Sequence, residues 1–291
     1  MQLTQTEHEV SPPLAATALI VDLRNFTASL NASSADTEQR NRFYQFLSEF
    51  YAICVDACLM ALPPESRLKP PLYLNSTGDG VLIVYLCEAH VRCGFLAALL
   101  MNLTLQSMCE SYNATSQAKH PKVSFGIGVE SGVVSYISAS APLSGQDATN
   151  PVVDTYIGEC INVAARAEAM SKVFYGARTI IARGTNEFLC AELFGENYSA
   201  LIRDALDVTL PDDKRLAVHD KMNDLNRRLC LTFIHHHNLR GVDEPMPLFR
   251  IADSSAVPGN PRFESLMASL NISNEHGCEV HQFLNSHANL D

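Results

Sequence analysis

Two aspartates and an Asn/Arg pair carry the chemistry of this chain. Asp22 ends the apolar run Leu19-Ile20-Val21-Asp22, just before Leu23-Arg24-Asn25-Phe26-Thr27, and Asp79 sits between Gly78 and Gly80. A charge at the end of an apolar strand must be solvated, paired or metal-bound, because burying it alone is prohibitive. If the first strand lies beside the hairpin, both carboxylates meet at one sheet edge and offer oxygen donors to two divalent ions. Asn162 and Arg166, in the block from Thr155 to Arg166, are four residues apart on a helix and so share a face. An Arg fork suits a phosphate, and an Asn amide suits a ribose oxygen. Taken singly, each has a plain alternative: a helix cap, a turn residue, a solvated helix face. No Gly-x-x-x-x-Gly-Lys-Ser/Thr loop occurs, which excludes a P-loop phosphate site.

Hydrophobic periodicity indicates the elements that position these residues. Ala15–Leu23 reads as a buried strand, followed by a helix with Phe43, Phe46, Leu47, Phe50, Cys54 and Ala57 on one face. Leu72–Asn75 and Val81–Tyr85 form a hairpin around Asp79. Cys93–Cys109 is a second amphipathic helix, and Lys122–Glu130 alternates as a half-buried strand. A Ser-, Ala-, Pro- and Gly-containing loop is expected over 138–152, after which Gly158 opens the helix bearing Asn162 and Arg166. Thr179–Ala182 reads as a strand leading to a helix that ends near Leu193. An added helix is expected over 211–229, with Asp212 as N-cap and Val218, Met222, Leu225 and Leu229 on one stripe; its role is packing, with an extended dimer interface as the alternative. Leu248–Ile251 is the last strand. These elements predict a flexible leader (1–13), one domain (14–252) and a polar, peripheral tail (253–291) with a short helix near Phe263–Leu270. Interleaved strands and helices with a hairpin predict an α+β fold of ferredoxin-like type, a mainly antiparallel sheet flanked by helices.

With 47% hydrophobic residues the chain supports a packed core, and its net charge of −11 argues against general nucleic-acid or anionic-membrane binding. Nine cysteines without a Cys-x-x-Cys pair read as buried free thiols, which fits a reducing compartment. Neither a signal peptide nor a sufficiently long apolar span is recognised, so a cytoplasmic location is expected. Consecutive histidines at His235-His236-His237 point to alternate faces of a strand, which favours an edge over a metal site.

Four ordered motifs together resemble the catalytic domain of class III nucleotidyl cyclases, the adenylate and guanylate cyclases. They are the strand ending Asp22-x-x-x-Phe26-Thr27, the Gly78-Asp79 hairpin, the Thr155–Arg166 block, and Leu239-Arg-Gly-Val-Asp-Glu-Pro245 before the final strand. The similarity spans roughly residues 15–251. It implies a head-to-tail homodimer with two active sites across the interface. Asp22, Asp79 and the backbone carbonyl of Leu23 would hold two divalent ions, Mg²⁺ or Mn²⁺. Asn162 and Arg166 of the other subunit would orient the ribose and stabilise charge at the α-phosphate. Arg240 takes the place of a basic residue used on the triphosphate, and the backbone of Asn25, Phe26 and Thr27 would lie against the phosphates. The reaction implied turns a nucleoside triphosphate into a 3′,5′-cyclic nucleotide and pyrophosphate.

One position departs from that pattern. Purine cyclases of the family place a Lys four residues before the hairpin Asp, where it reads the base; here that position is Asn75. The second base-reading position is Thr155, which also occurs in bacterial members. An amide serves as donor and acceptor in either orientation, so hydrogen bonding alone leaves uracil, cytosine and adenine open. Tyr51 is a candidate for narrowing the base pocket, with core packing as its alternative. With Asn75, the chain looks most like the stand-alone pyrimidine cyclases of bacterial anti-phage (Pycsar) systems. That likeness implies cyclic UMP, or else cyclic CMP, acting on a separate effector protein. An ordinary adenylate or guanylate cyclase is the first alternative, and a non-catalytic nucleotide-binding module is the second.

Overall fold

The computed structural model describes residues 7–34, 36–116, 120–140, 152–174, 178–242, 245–252, 258–270, 272 and 274–288. Its strands are β1 (Glu7–Val10), β2 (Leu14–Arg24), β3 (Leu72–Ser76), β4 (Gly80–Tyr85), β5 (Ser124–Ser140), β6 (Val152–Ile157), β7 (Thr179–Ile181), β8 (Leu231–His237) and β9 (Met246–Ile251). Its helices are α1 (Phe26–Ser33), α2 (Thr37–Met60), α3 (His90–Thr115), α4 (Glu159–Met170), α5 (Arg183–Phe194), α6 (Tyr198–Leu206), α7 (Asp212–Arg228), α8 (Pro261–Ser269) and α9 (Asn274–Ala288). The main sheet runs β3-β4-β2-β5-β7-β9-β8, with β1 and β6 both paired to β5. Only the β5–β7 pairing is parallel among those described, so the expected α+β architecture with a mainly antiparallel sheet is what the chain adopts.

Strand β2 sorts the layers by alternation. Leu19, Val21 and Leu23 face α2 and α3 in the large core, while Ala16 and Ala18 face α4 in a second cluster with Leu82, Val84 and Ala164. Alternation puts Asp22 on the α4 side of the sheet. Small residues let α4 approach closely: a Cβ on Gly128 of β5 would stand 1.9 Å from the Ala164 carbonyl oxygen. Helix α3 is long and apolar enough to cross a membrane, but 78% of its most apolar window is buried inside the fold. That burial makes it the central core helix.

Several expectations are corrected. Glu7–Val10, assigned to a loose leader, pairs with Ile137–Ser140 as β1; residues 1–6 lie outside the described residues. Strand β5 continues ten residues beyond the expected Glu130 end, to Ser140, where it pairs with β6. The expected loop is therefore strand at 138–140 and at 152, and 141–151 lies outside the described residues. A separate short helix, α1, precedes the expected one. Helix α7 forms as expected, with Leu225 and Leu229 buried, but its N-cap is Pro211; Asp212 is in the first turn, paired with Arg215.

The tail is not peripheral. Phe263, Leu266, Val280, Phe283 and Leu284 belong to the main core, and burying such side chains contributes roughly 1.5–3 kcal/mol each. Arg67 pairs with Glu279 at 2.8 Å and the His276 ring bonds the Met60 carbonyl, tying α9 back to the end of α2. Residues 253–257, 271, 273 and 289–291 of that tail lie outside the described residues.

Candidate active site

The strand pairing brings the two aspartates to one place. Asp22 stands opposite Gly80 in the β2–β4 register, and the Leu23 N–H donates to the Asp79 carbonyl at 2.9 Å. Gly80 permits this closeness, since a Cβ there would stand 2.4 Å from the Val21 carbonyl oxygen. The donors on offer are carboxylate and carbonyl oxygens, the hard ligands that suit Mg²⁺ or Mn²⁺. They already attract a cation: the Lys172 ammonium lies 3.1 Å from Asp22 Oδ2. The oxygen chemistry and this stand-in cation fit the divalent ions that the sequence implies.

Next to the carboxylates, α1 begins at Asn25, which takes a left-handed conformation (φ 61°) that Asn tolerates well. Its side chain donates to the Lys122 carbonyl at 2.8 Å, and no side chain caps the helix. The first amides of α1, at Phe26 and Thr27, precede the first internal helix bond, made by Ser29 N–H to Asn25 O. Uncapped amides at a helix start favour an anion.

Asn162 and Arg166 project elsewhere. Helix α4 buries Cys160, Val163, Ala164, Ala167 and Glu168 against the sheet. At 100° per residue, Asn162 and Arg166 lie roughly opposite that stripe, Asn162 exposed and Arg166 half-buried. The Arg166 guanidinium rests against the turn at Gly241, 3.2 Å from where a Cβ would sit, next to the exposed Arg240. Asp243 and Glu244 of the closing motif lie outside the described residues.

The base-reading candidates lie on two other strands, β3 and β6. Asn75 is exposed on β3 opposite Leu82, and Thr155 is half-buried on β6 opposite Ile137. The two strands are not sheet neighbours, but Tyr73 Oη donates to the Asp154 carbonyl at 3.2 Å and its ring meets Tyr156 edge-on at 5.2 Å. The Tyr51 ring packs against the main core, as the plainer of its two readings has it. Its hydroxyl donates to the Gly78 carbonyl and accepts from Ser76 Oγ at 3.2 Å, so it clasps the hairpin that carries Asp79.

Sequence reasoning missed Glu168 and Lys172. Glu168 is buried beside Asp22, its Oε2 is 3.4 Å from the Lys172 ammonium, and burial raises its pKa despite that neighbour. For Lys172 burial acts downward, yet Asp22 and Glu168 together raise its pKa. The signal was present as an i,i+4 Glu/Lys pair, but nothing in the sequence tied it to Asp22. The histidine run lies on the edge strand β8, and no group of three or more His, Cys, Asp or Glu able to share an ion occurs among the described residues.

No model of a known protein family matches the chain. An adenylate cyclase of Anabaena cylindrica is 25% identical over 180 residues, covering 61% of this chain. The chain spans about a third (32%) of that relative's length. Among solved structures, the adenylyl cyclase CyaB from P. aeruginosa superposes with a TM-score of 0.47 at 13% identity, over 85% of this chain and 96% of that one. The guanylate cyclase domain of RhGC from Catenaria anguillulae, in complex with GTP, gives 0.42 at 15% identity, over 82% and 97%.

Proposed function

We propose that this chain is a class III nucleotidyl cyclase whose active site is completed by a second copy of itself. The observation that carries the reading is a division of labour. Asp22, Asp79, Leu23 and the start of α1 meet at one end of the sheet, whereas Asn162, Arg166 and the Arg240 turn lie on the outer side of α4. One chain does not bring the two halves together, and a two-fold head-to-tail dimer does so twice. Divalent ions at Asp22 and Asp79 would supply Lewis acidity for the ribose 3′-hydroxyl and neutralise the triphosphate. The partner copy's Arg166 then forks onto the α-phosphate as charge builds there, and Asn162 fixes the ribose so that the 3′-oxygen faces phosphorus. The ribose 3′-hydroxyl gives its proton to solvent, its oxygen bonds the α-phosphorus, the bond from that phosphorus to the oxygen bridging the β-phosphate breaks, and pyrophosphate leaves.

Within that reaction we assign a pyrimidine triphosphate as substrate, UTP ahead of CTP, and a cyclic nucleotide signal in anti-phage defence as its use. Support comes from Asn75, which lacks the charge that a purine-reading Lys would bring and sits two residues along β3 from Tyr73. The Anabaena relative, described as an adenylate cyclase, favours the purine alternative. The deciding experiment is turnover of purified protein with Mn²⁺ and all four ribonucleotides in competition, read by mass spectrometry. Cyclic UMP or CMP is the expected product. Cyclic AMP or GMP would refute the pyrimidine assignment alone, and absence of any cyclic product would refute the enzyme.

A further inference from the structure

We infer that Lys172 is the resting occupant of the cation position at Asp22, and that a divalent ion binds there by displacing it. This rests on the metal reading of Asp22 given above. Lys172 follows the C-cap of α4, Ser171, and its ammonium touches two carboxylates at once: Asp22 Oδ2 at 3.1 Å and Glu168 Oε2 at 3.4 Å. The three differ in exposure. The Glu168 side chain is 6% exposed, Asp22 24% and Lys172 46%. A buried carboxylate needs a positive neighbour, more so here because Glu168 Oε1 has no hydrogen-bond partner among the described residues. Asp22, nearer solvent, is the partner that can be given up. A Lys stem pivots freely with its head in water, so the ammonium can leave Asp22 while staying one helical turn from Glu168.

The consequence is a graded site. Without metal, Lys172 and the Arg24 guanidinium together keep the two neighbouring carboxylates from repelling one another, and Lys172 holds Asp22 in place. With metal, the doubly charged ion takes the Asp22 oxygens directly and the monovalent ammonium retreats to Glu168. Metal affinity is therefore set by a competition within the chain, and removing the competitor should tighten binding. Lys172 acts here through Asp22 and is a positioning residue, not a catalytic one.

The test is Mn²⁺ binding to the full chain, read from the free-ion signal in electron paramagnetic resonance, with thermal unfolding of the same samples. Lys172→Gln should bind Mn²⁺ about 5-fold more tightly than the wild type, the size of a partly exposed ion pair. Its metal-free melting temperature should fall, and saturating Mn²⁺ should restore it. Lys172→Arg, which keeps the charge, should bind no more tightly than the wild type and covers the case in which the Gln variant does not fold. Equal or weaker binding by Lys172→Gln, or tighter binding by Lys172→Arg, overturns the inference. Asp22→Asn separates the two levels. If it binds Mn²⁺ as the wild type does, the metal reading itself has failed; if it loses binding while Lys172→Gln is unchanged, only the competition has failed.

Discussion

Glu130 is 6% exposed on β5, where its carboxylate accepts hydrogen bonds from the Gly184 and Thr185 N–H groups at 3.1 and 3.2 Å, at the start of α5. Burial pushes its pKa from 4.5 up to about 7; the bonds from Gly184, Thr185 and Ser131 act the other way, and Glu187 adds to the rise. Between those two values the native chain holds a proton that the unfolded chain has lost. Stability from this group is therefore complete below pH 4.5, declines as pH rises toward 7, and is flat above. A displacement from 4.5 to about 7 corresponds to as much as ~3 kcal/mol. Glu130→Gln keeps one oxygen acceptor but cannot ionise. Turning its amide toward a backbone N–H costs about 1 kcal/mol at every pH. Urea unfolding of both proteins in steps from pH 5 to pH 8 isolates the effect, because other titrating groups cancel in the difference. The wild type should lose up to ~3 kcal/mol relative to Glu130→Gln across that range. A difference constant to within about 0.5 kcal/mol would refute the reasoning, since Glu130 would then ionise alike in both states.

Asp22→Ala and Arg166→Ala should each abolish cyclic product formation while keeping the far-ultraviolet circular dichroism of the wild type. Mixed in equal amounts they should recover roughly a quarter of wild-type turnover, because half of the dimers would be mixed and each would hold one intact site of two. No recovery on mixing would count against shared sites. Asn75→Lys should shift selectivity toward ATP by ~10–100-fold, the worth of a hydrogen bond to a charged group, in the four-nucleotide competition. Tyr51→Phe keeps the ring packed on the core but removes the hairpin clasp. It should cost about 1 kcal/mol in stability yet lower kcat more than that suggests, because Asp79 rides on the hairpin; an unaltered kcat would show that the clasp is dispensable.

The parts of this fold that were legible are those where periodicity and turn chemistry agree. Strand β2, the β3–β4 hairpin and α4 were read from a continuous apolar run, a Gly-Asp-Gly turn and the Gly158 start ahead of the Asn162/Arg166 pair, and they hold most of the candidate site. What escaped depends on distant partners. Only the histidine end of β8 was read, as a strand or loop edge; its start at Leu231 was not, because Thr232 to His237 alternates poorly and its pairing with β9 contains an irregularity between Phe233 and His235. Helix α6 hid in a stretch of mixed polarity although Asn197 caps it by accepting from Ala200 N–H. The short helix expected near Phe263–Leu270 forms as α8, but the tail was read as peripheral for its polar residues although apolar spacing at 263, 266, 267 and 270 marks an inward face. Lys172 could be seen to reach Glu168 along the helix, but its contact with Asp22 spans 150 positions of sequence.

The placement of α8 and α9 bears on how the chain can be trimmed or fused. A protein engineer would draw the boundary after Ile251, where the strand order is complete. A polypeptide cut there would bare the faces of α2 and α3 that α9 covers and the face of α7 that α8 covers, exposing the partners of Phe263, Leu266, Val280 and Leu284 in the main core, and it would lose the Arg67–Glu279 bridge as well. Such a fragment would carry every residue assigned to catalysis and still be poorly soluble. The smallest autonomous unit therefore extends to the end of α9, and a fused partner belongs beyond residue 288 rather than at the edge of the sheet.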